Sequence, residues 1–137
     1  MRALLAAFVL IYAIGQSLAA SDADQATIRD IIRSQIEAFQ GDDGARAFSY
    51  ATPSLRSLFG TQERFMDMVK NGYPPVYRPR SYTFGAFTDT PDGTSLAVHI
   101  QDWEGQSWVA LYTLERQPDG TWRISGCSLV REPGQAA

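Results

Sequence analysis

From Ser81 onward apolar residues recur at every second position, and the pattern holds to Val130. A period of two marks strands with one face toward a core and the other toward water. No other feature of the 137-residue chain restricts its fold as strongly. Four runs fit, at about 81–88, 95–103, 107–116 and 121–130. The breaks between them carry turn chemistry. "TPDGT" (90–94) and "QPDGT" (117–121) share Pro-Asp-Gly, in which proline presets the first turn dihedral, aspartate tolerates the second and glycine takes a positive φ. "WEGQ" (103–106) supplies Gly105 for a tight turn. Links this short join antiparallel neighbours, so the expected sheet is a four-stranded antiparallel meander.

The turns also predict a register. Three-residue Pro-Asp-Gly loops pair Thr90 with Thr94 and Gln117 with Thr121, and a two-residue Glu104-Gly105 loop pairs Trp103 with Gln106. One face then carries Tyr82, Phe84, Ala86, Leu96, Val98, Ile100, Val109, Leu111, Ser125, Cys127 and Leu129, and is expected to be core. The other carries Phe87, Ala97, His99, Gln101, Trp103, Trp108, Ala110, Tyr112, Leu114, Trp122, Ile124, Ser128 and Val130. A one-residue slip in a hairpin would reverse that strand's assignment.

Upstream, the spacing is helical. Ile28, Ile31, Ile32, Ile36 and Phe39 form one stripe, with Ser21, Asp22 and Asp24 as candidate caps and Gly41 as the stop. Thr52-Pro53 opens a short helical segment that Gly60 closes. "TQERFMDMVKNG" places Phe65, Met68 and Val69 on one face. "YPPVYRPR" (73–80) holds three prolines and reads as an extended linker. The expected architecture is α+β, with N-terminal helices packed on a curved four-stranded antiparallel meander.

The first nineteen residues read as a secretory signal peptide: Arg2, the apolar run "ALLAAFVLIYAIG", then Ser17 and Ala19 at the −3 and −1 positions for cleavage after Ala19. The run is short for a membrane span, which needs about 20 apolar residues. The expected product is a single domain over 20–137, periplasmic or secreted, with no membrane attachment in the mature form. Losing Arg2 takes the formal charge from −3 to −4. A mildly acidic chain without a basic block is not expected to bind nucleic acid or an anionic membrane surface.

The chain has one cysteine and one histidine, Cys127 and His99. A thiolate–imidazole pair is a nucleophile arrangement, but the register places these two on opposite faces with the third strand between. Two strand spacings are about 9.6 Å, beyond hydrogen-bond reach. Cys127 is therefore read as a small buried hydrophobe opposite Leu111, with an intermolecular disulfide or a reactive thiol as the alternatives. No zinc-type ligand cluster, calcium-loop spacing, phosphate loop, dinucleotide fingerprint or nucleophile elbow occurs, and neither metal nor cofactor is expected. Asp102 and Glu104 are the carboxylates nearest aromatics and read as solvated surface.

Two groups remain as candidates for binding. His99, Gln101, Trp103, Trp108, Tyr112 and Trp122 project from one sheet face in the expected register, forming a pocket wall, an interface or a helix-covered core. Tyr73, Tyr77, Arg78 and Arg80 cluster in the proline-rich linker, where two arginines beside tyrosines suit a carboxylate or phosphate, or simply extend from a rigid surface.

Helix, short helices, helix, then meander resembles the nuclear transport factor two-like (cystatin-like) superfamily. "QIEAFQGDDGARAFSYATPSLRSLFG", "FMDMVKNGYPPVYRP" and "DGTWRISGCSL" more specifically resemble an uncharacterised bacterial family grouped as a domain of unknown function. The resemblance covers nearly all of residues 25–131 and implies a cone-shaped fold in which a curved sheet wraps a long helix. Members of the superfamily include isomerases, dehydratases, small-molecule binders and dimerisation modules, so the fold alone does not select among them. The isomerase-type base and donor set has no residue-by-residue match here. The leading expectation is a non-catalytic module that binds a small apolar or anionic ligand or a partner chain. The alternatives are an isomerase- or dehydratase-type enzyme with a pocket carboxylate or His99 as base, and a structural homodimer built through the aromatic face.

Overall fold

A computed structural model describes residues 19–133. Apart from Ala19, the expected cleavable segment lies outside the described residues. Helix α1 (Asp22–Gln40) starts at a reciprocal cap: the Ser21 hydroxyl accepts from the Asp24 N–H while the Asp24 carboxylate accepts from the Ser21 N–H. Its stripe of Ile28, Ile32, Ile36 and Phe39 is fully buried. Burial of each such side chain contributes about 1.5–3 kcal/mol, so this face anchors the helix to the sheet. Short α2 (Gly44–Ser49) and α3 (Pro53–Phe59) follow, capped by Asp43 and Thr52. Helix α4 (Gln62–Gly72) is capped by Thr61 and buries Phe65, Met66 and Val69.

The proline-rich segment departs from expectation. Pro74–Tyr77 forms a single helical turn, α5, with its prolines in the first two positions. Those positions have no intrahelical acceptor for an N–H, so proline's missing donor is no handicap there. Pro75, Val76 and Pro79 are buried, and the segment is a packed joint between α4 and the sheet.

Strands β1 (Ser81–Thr90), β2 (Gly93–Gln101), β3 (Ser107–Arg116) and β4 (Trp122–Arg131) form a sheet in sequential order, every neighbour antiparallel. The fold is α+β, helices then meander. The helices cover the face bearing Leu96, Val98 and Ile100.

The register corrects the expected face assignment of β3. Leu96, Val98 and Ile100 lie opposite Tyr112, Ala110 and Trp108. The cause is the β2–β3 hairpin, which holds three residues rather than two. Asp102 pairs with Gln106 (N–H to carbonyl, 2.9 Å), and Gly105 takes φ 80°. The Asp102 carboxylate stabilises this longer loop by accepting from the Glu104 and Gln106 N–H groups at 2.9 and 2.8 Å. Trp108, Ala110, Tyr112 and Leu114 therefore face the helices, while Val109 and Leu111 face outward.

The edge strands each contain a bulge. In β1 the register shifts between Phe84 and Phe87, so both phenylalanines face the core and Ala86 is exposed. Arg33 and Arg29 of α1 lie over these two rings. In β4 the Gln117–Thr121 turn forms as expected, but Ser125 is then extra. Leu114 pairs with Ile124 and Thr113 with Gly126. Cys127 thus sits opposite Tyr112, not Leu111, and still faces the helices. Bulges bend the strands that carry them, which curves the sheet at both margins. Near the start of β4 the free edge is covered at Ile124: its N–H donates to the Tyr50 carbonyl (2.8 Å) and the Thr52 N–H donates to its carbonyl (2.9 Å).

Candidate functional site

Curvature leaves two hollows between the helices and the sheet, divided by Tyr73. The side chain of Tyr73 lines both, and its hydroxyl donates to the Cys127 carbonyl at 3.0 Å.

The larger hollow is an open groove of about 620 Å³. Tyr73, Pro74, Pro75 and Arg78 form one wall, and Asp102, Trp103, Glu104, Trp108 and Leu129 the other. Four expected binding residues, Tyr73, Arg78, Trp103 and Trp108, meet here. Their polar groups are largely engaged within the chain. The Trp108 indole N–H donates to the Asp102 carboxylate at 2.9 Å. With two backbone donors on the same carboxylate, this bond holds the Asp102 carboxyl below the ordinary range, the reverse of what a catalytic base needs. The Arg78 guanidinium donates to the Phe39 carbonyl and, at 3.1 Å, to the Asp42 carboxylate. The anion expected at this arginine is thus supplied by the chain itself. The Tyr77 hydroxyl also donates to Asp42. Trp103 remains 70% exposed at the hairpin tip.

The smaller hollow is a cavity of about 400 Å³. Phe39 of α1, Leu55 and Phe59 of α3, Phe65, Met68 and Val69 of α4, and Val76 of α5 form its helical side. Tyr112, Ile124, Gly126 and Cys127 form its sheet side. Phe65 is the hub of the apolar wall, with the Phe39, Phe48 and Phe59 ring centroids 6.1, 5.3 and 5.5 Å away. The polar groups on the lining are few. Gln35 donates its side-chain N–H to the Ala47 carbonyl at 3.1 Å. Tyr73 is bonded to Cys127 as above.

Tyr112 differs from both. Its side chain is 1% exposed, and its hydroxyl is buried with no hydrogen-bond partner. A buried unpaired hydroxyl costs about 1–3 kcal/mol, so native proteins rarely leave one without a role. Burial pushes the Tyr112 phenol well above its ordinary value, with Cys127 and Tyr82 nearby adding to the effect. Burial likewise pushes the Cys127 thiol up to about 12. Both groups are neutral across the physiological range. The described residues lining this cavity include no carboxylate and no imidazole.

The remaining expected residues lie elsewhere. Trp122 is buried at the start of α1, where its indole N–H donates to Asp24 at 3.3 Å while Arg116 pairs with the same carboxylate and lies over the indole ring. This is a clasp between helix and sheet. His99 and Gln101 are exposed on the opposite sheet face, with His99 Nδ1 3.1 Å from the Glu132 carboxylate. His99 and Cys127 thus occupy opposite faces, as expected. Arg80 is exposed at the start of β1. The expected single aromatic face is therefore divided, with His99 and Gln101 outside and Trp108, Tyr112 and Trp122 inside. In the expected phase of β3 Tyr112 and Cys127 lie on opposite faces and form no common wall; in the structure Cys127 packs against the core and also lines the cavity.

Among the described residues no group of three or more His, Cys, Asp or Glu could hold a metal ion, and no helix is long and apolar enough to cross a membrane. The chain matches, over residues 21–137, the family described as "Domain of unknown function (DUF4864)", and it belongs to that family. It matches no curated protein and no solved structure.

Proposed function

We propose that this member of the DUF4864 family is an exported, non-catalytic binding module that holds a small molecule in the cavity between α1, α3, α4 and the β3–β4 sheet. The observation that carries the reading is the cavity itself: about 400 Å³, lined mainly by apolar and aromatic side chains, with few polar groups, the composition of a small-molecule site. An isomerase or dehydratase would need a titratable base inside the cavity, and the lining described above offers a neutral phenol and a neutral thiol. The homodimer alternative relied on an aromatic outer face. The outer face carries His99, Gln101, Ser128, Leu111 and Val130 instead.

Export is supported by the layout of residues 1–19 and by a family match that begins at residue 21. Helices followed by a bent meander suit the nuclear transport factor two-like superfamily, and we assign the chain to it on that basis.

The test is native mass spectrometry of the protein purified from its own periplasm, followed by solvent extraction. One small molecule per chain is expected, lost in a Leu55→Trp variant that fills the cavity from α3. A bare chain in both samples would remove the support for a resident ligand.

A further inference from the structure

We infer that Asp89 and Thr94 form a receiving site for the chain's own processed amino terminus: cleavage between Ala19 and Ala20 turns the Ala20 nitrogen into an ammonium that pairs with the Asp89 carboxylate. This rests on the export reading above and goes further, since it fixes the cut at one bond and gives the new terminus a partner.

The Ala20 backbone N–H donates to Asp89 Oδ1 at 3.2 Å, and the same oxygen accepts from the Thr94 hydroxyl at 3.1 Å. Asp89 and Thr94 face each other across the β1–β2 ladder, far from Ala20 in sequence, so the contact is tertiary. Thr94 is buried and steadies a carboxylate that is otherwise exposed. Ala20 is half-buried and packs on the core, whereas Ala19 is exposed. Both precede the Ser21 cap of α1. The bond between them lies in surface chain outside the helix, where a protease can hold it extended.

Hydrolysis by a signal peptidase breaks that bond. The oxygen of water goes to the Ala19 carbonyl, which leaves as a carboxylate, and the two protons go to the Ala20 nitrogen, which becomes an ammonium. Before the cut Asp89 accepts from a neutral amide; after it, from a full positive charge at the same place. A charge-assisted bond is roughly twice as strong as a neutral one. The positive end of α1 opposes an ammonium there. Asp22 and Asp24 lie in that first turn, but Asp24 is already paired with Arg116. Asp89 thus offsets a repulsion that cleavage itself creates. Rival cuts do not use the site. Cleavage after Ser17, with Gly15 at −3, leaves the Ala20 nitrogen an amide, and cleavage after Ala20 removes that residue.

The test begins with the full chain, expressed with ¹³C label and exported, and the product isolated from the periplasm. Its intact mass is expected to match a chain beginning at Ala20. NMR of the Ala20 methyl group then follows the titration of its amino group. The folded protein is expected to hold that proton about threefold more tightly than the same chain unfolded in urea, the size of an exposed ion pair. Asp89→Asn keeps an oxygen for Thr94 but removes the charge, and should abolish the difference. A chain with one extra residue ahead of Ala20 should abolish it too.

A product that begins at Ala20 but titrates alike folded and unfolded, or alike with and without Asp89→Asn, would overturn the receiving site and leave export standing. A product beginning at any other residue beyond the apolar run would overturn the assigned bond, again with export standing. A chain found only with residues 1–19 attached would overturn this inference and the export reading together.

Discussion

The Tyr73 hydroxyl reaches across the helix–sheet boundary to the Cys127 carbonyl at 3.0 Å. One residue at the α4–α5 joint therefore forms the partition between groove and cavity and ties the joint to β4. Tyr73→Phe should lower the unfolding free energy by about 1 kcal/mol, the net worth of a hydrogen bond. Denaturant unfolding measures this, and an unchanged midpoint would show that the bond is not formed in solution.

Tyr112→Phe should act in the opposite direction in the ligand-free protein. It removes an unpaired buried hydroxyl and preserves the ring, so stability should rise by about 1–3 kcal/mol. A loss of stability on urea unfolding would mean that the hydroxyl has a partner, such as an ordered water.

Cys127 predicts an alkaline slope. Its folded-state value is raised from 9.0 to about 12 by burial. Between these values the unfolded chain has lost the proton and the folded chain has kept it, so stability is intact below pH 9.0 and falls as pH rises above it. The limiting slope is about 1.4 kcal/mol per pH unit. Cys127→Ala should flatten the curve between pH 9 and 10, before the tyrosines contribute. The thiol of the folded protein should also react with a disulfide reagent far more slowly at pH 8 than in denaturant.

Asp24 predicts the acid limb. The Ser21 N–H and hydroxyl, the Trp122 indole and Arg116 hold its carboxyl below the usual range. The stability this brings is present above the ordinary carboxyl value of 3.8 and is lost as pH falls through the lower folded value. Asp24→Asn should be less stable than the native chain at pH 7 and converge with it near the acid unfolding midpoint. Circular dichroism across pH 2–7 reads this directly, and parallel curves would sink the assignment.

Gly93 should be intolerant of any side chain. It has φ 155°, and an added Cβ would lie 2.2 Å from the Leu114 carbonyl oxygen. Gly93→Ala should cost at least about 2 kcal/mol through backbone strain and displacement of β3. Gly120→Ala, with a positive φ but open space around it, should cost less.

Features encoded by neighbouring residues were readable from the sequence. Ser21 and Gly41 bound α1, Thr52-Pro53 opens α3 and Gly60 ends it, and Pro-Asp-Gly at 118–120 forms the turn expected of it. What escaped depends on side chains choosing among similar backbones. Glu104-Gly105 suits a two-residue loop as well as a three-residue one. The Asp102 carboxylate, by accepting from two loop N–H groups and from Trp108, selects the longer form. That one residue reverses β3 and turns Tyr112 from an outward aromatic into a cavity wall. The bulges at Gly85-Ala86 and Ser125-Gly126 do coincide with glycines inside strand runs, but a glycine marks a bulge without fixing how the register shifts. The cavity itself is assembled from α1, α3, α4, α5, β3 and β4, so no contiguous motif announces it.

The Tyr50–Thr52 segment on the outer side of β4 has a consequence for self-association. A sheet can grow without limit only if each molecule exposes two pairing edges. Here the Ile124 N–H and carbonyl are already bonded to Tyr50 and Thr52, and the Cys127 carbonyl to Tyr73. Among the described residues the outer side of β1 is therefore the longer open edge, and a strand docking on β4 would have to displace the Tyr50–Thr52 segment to extend past Cys127.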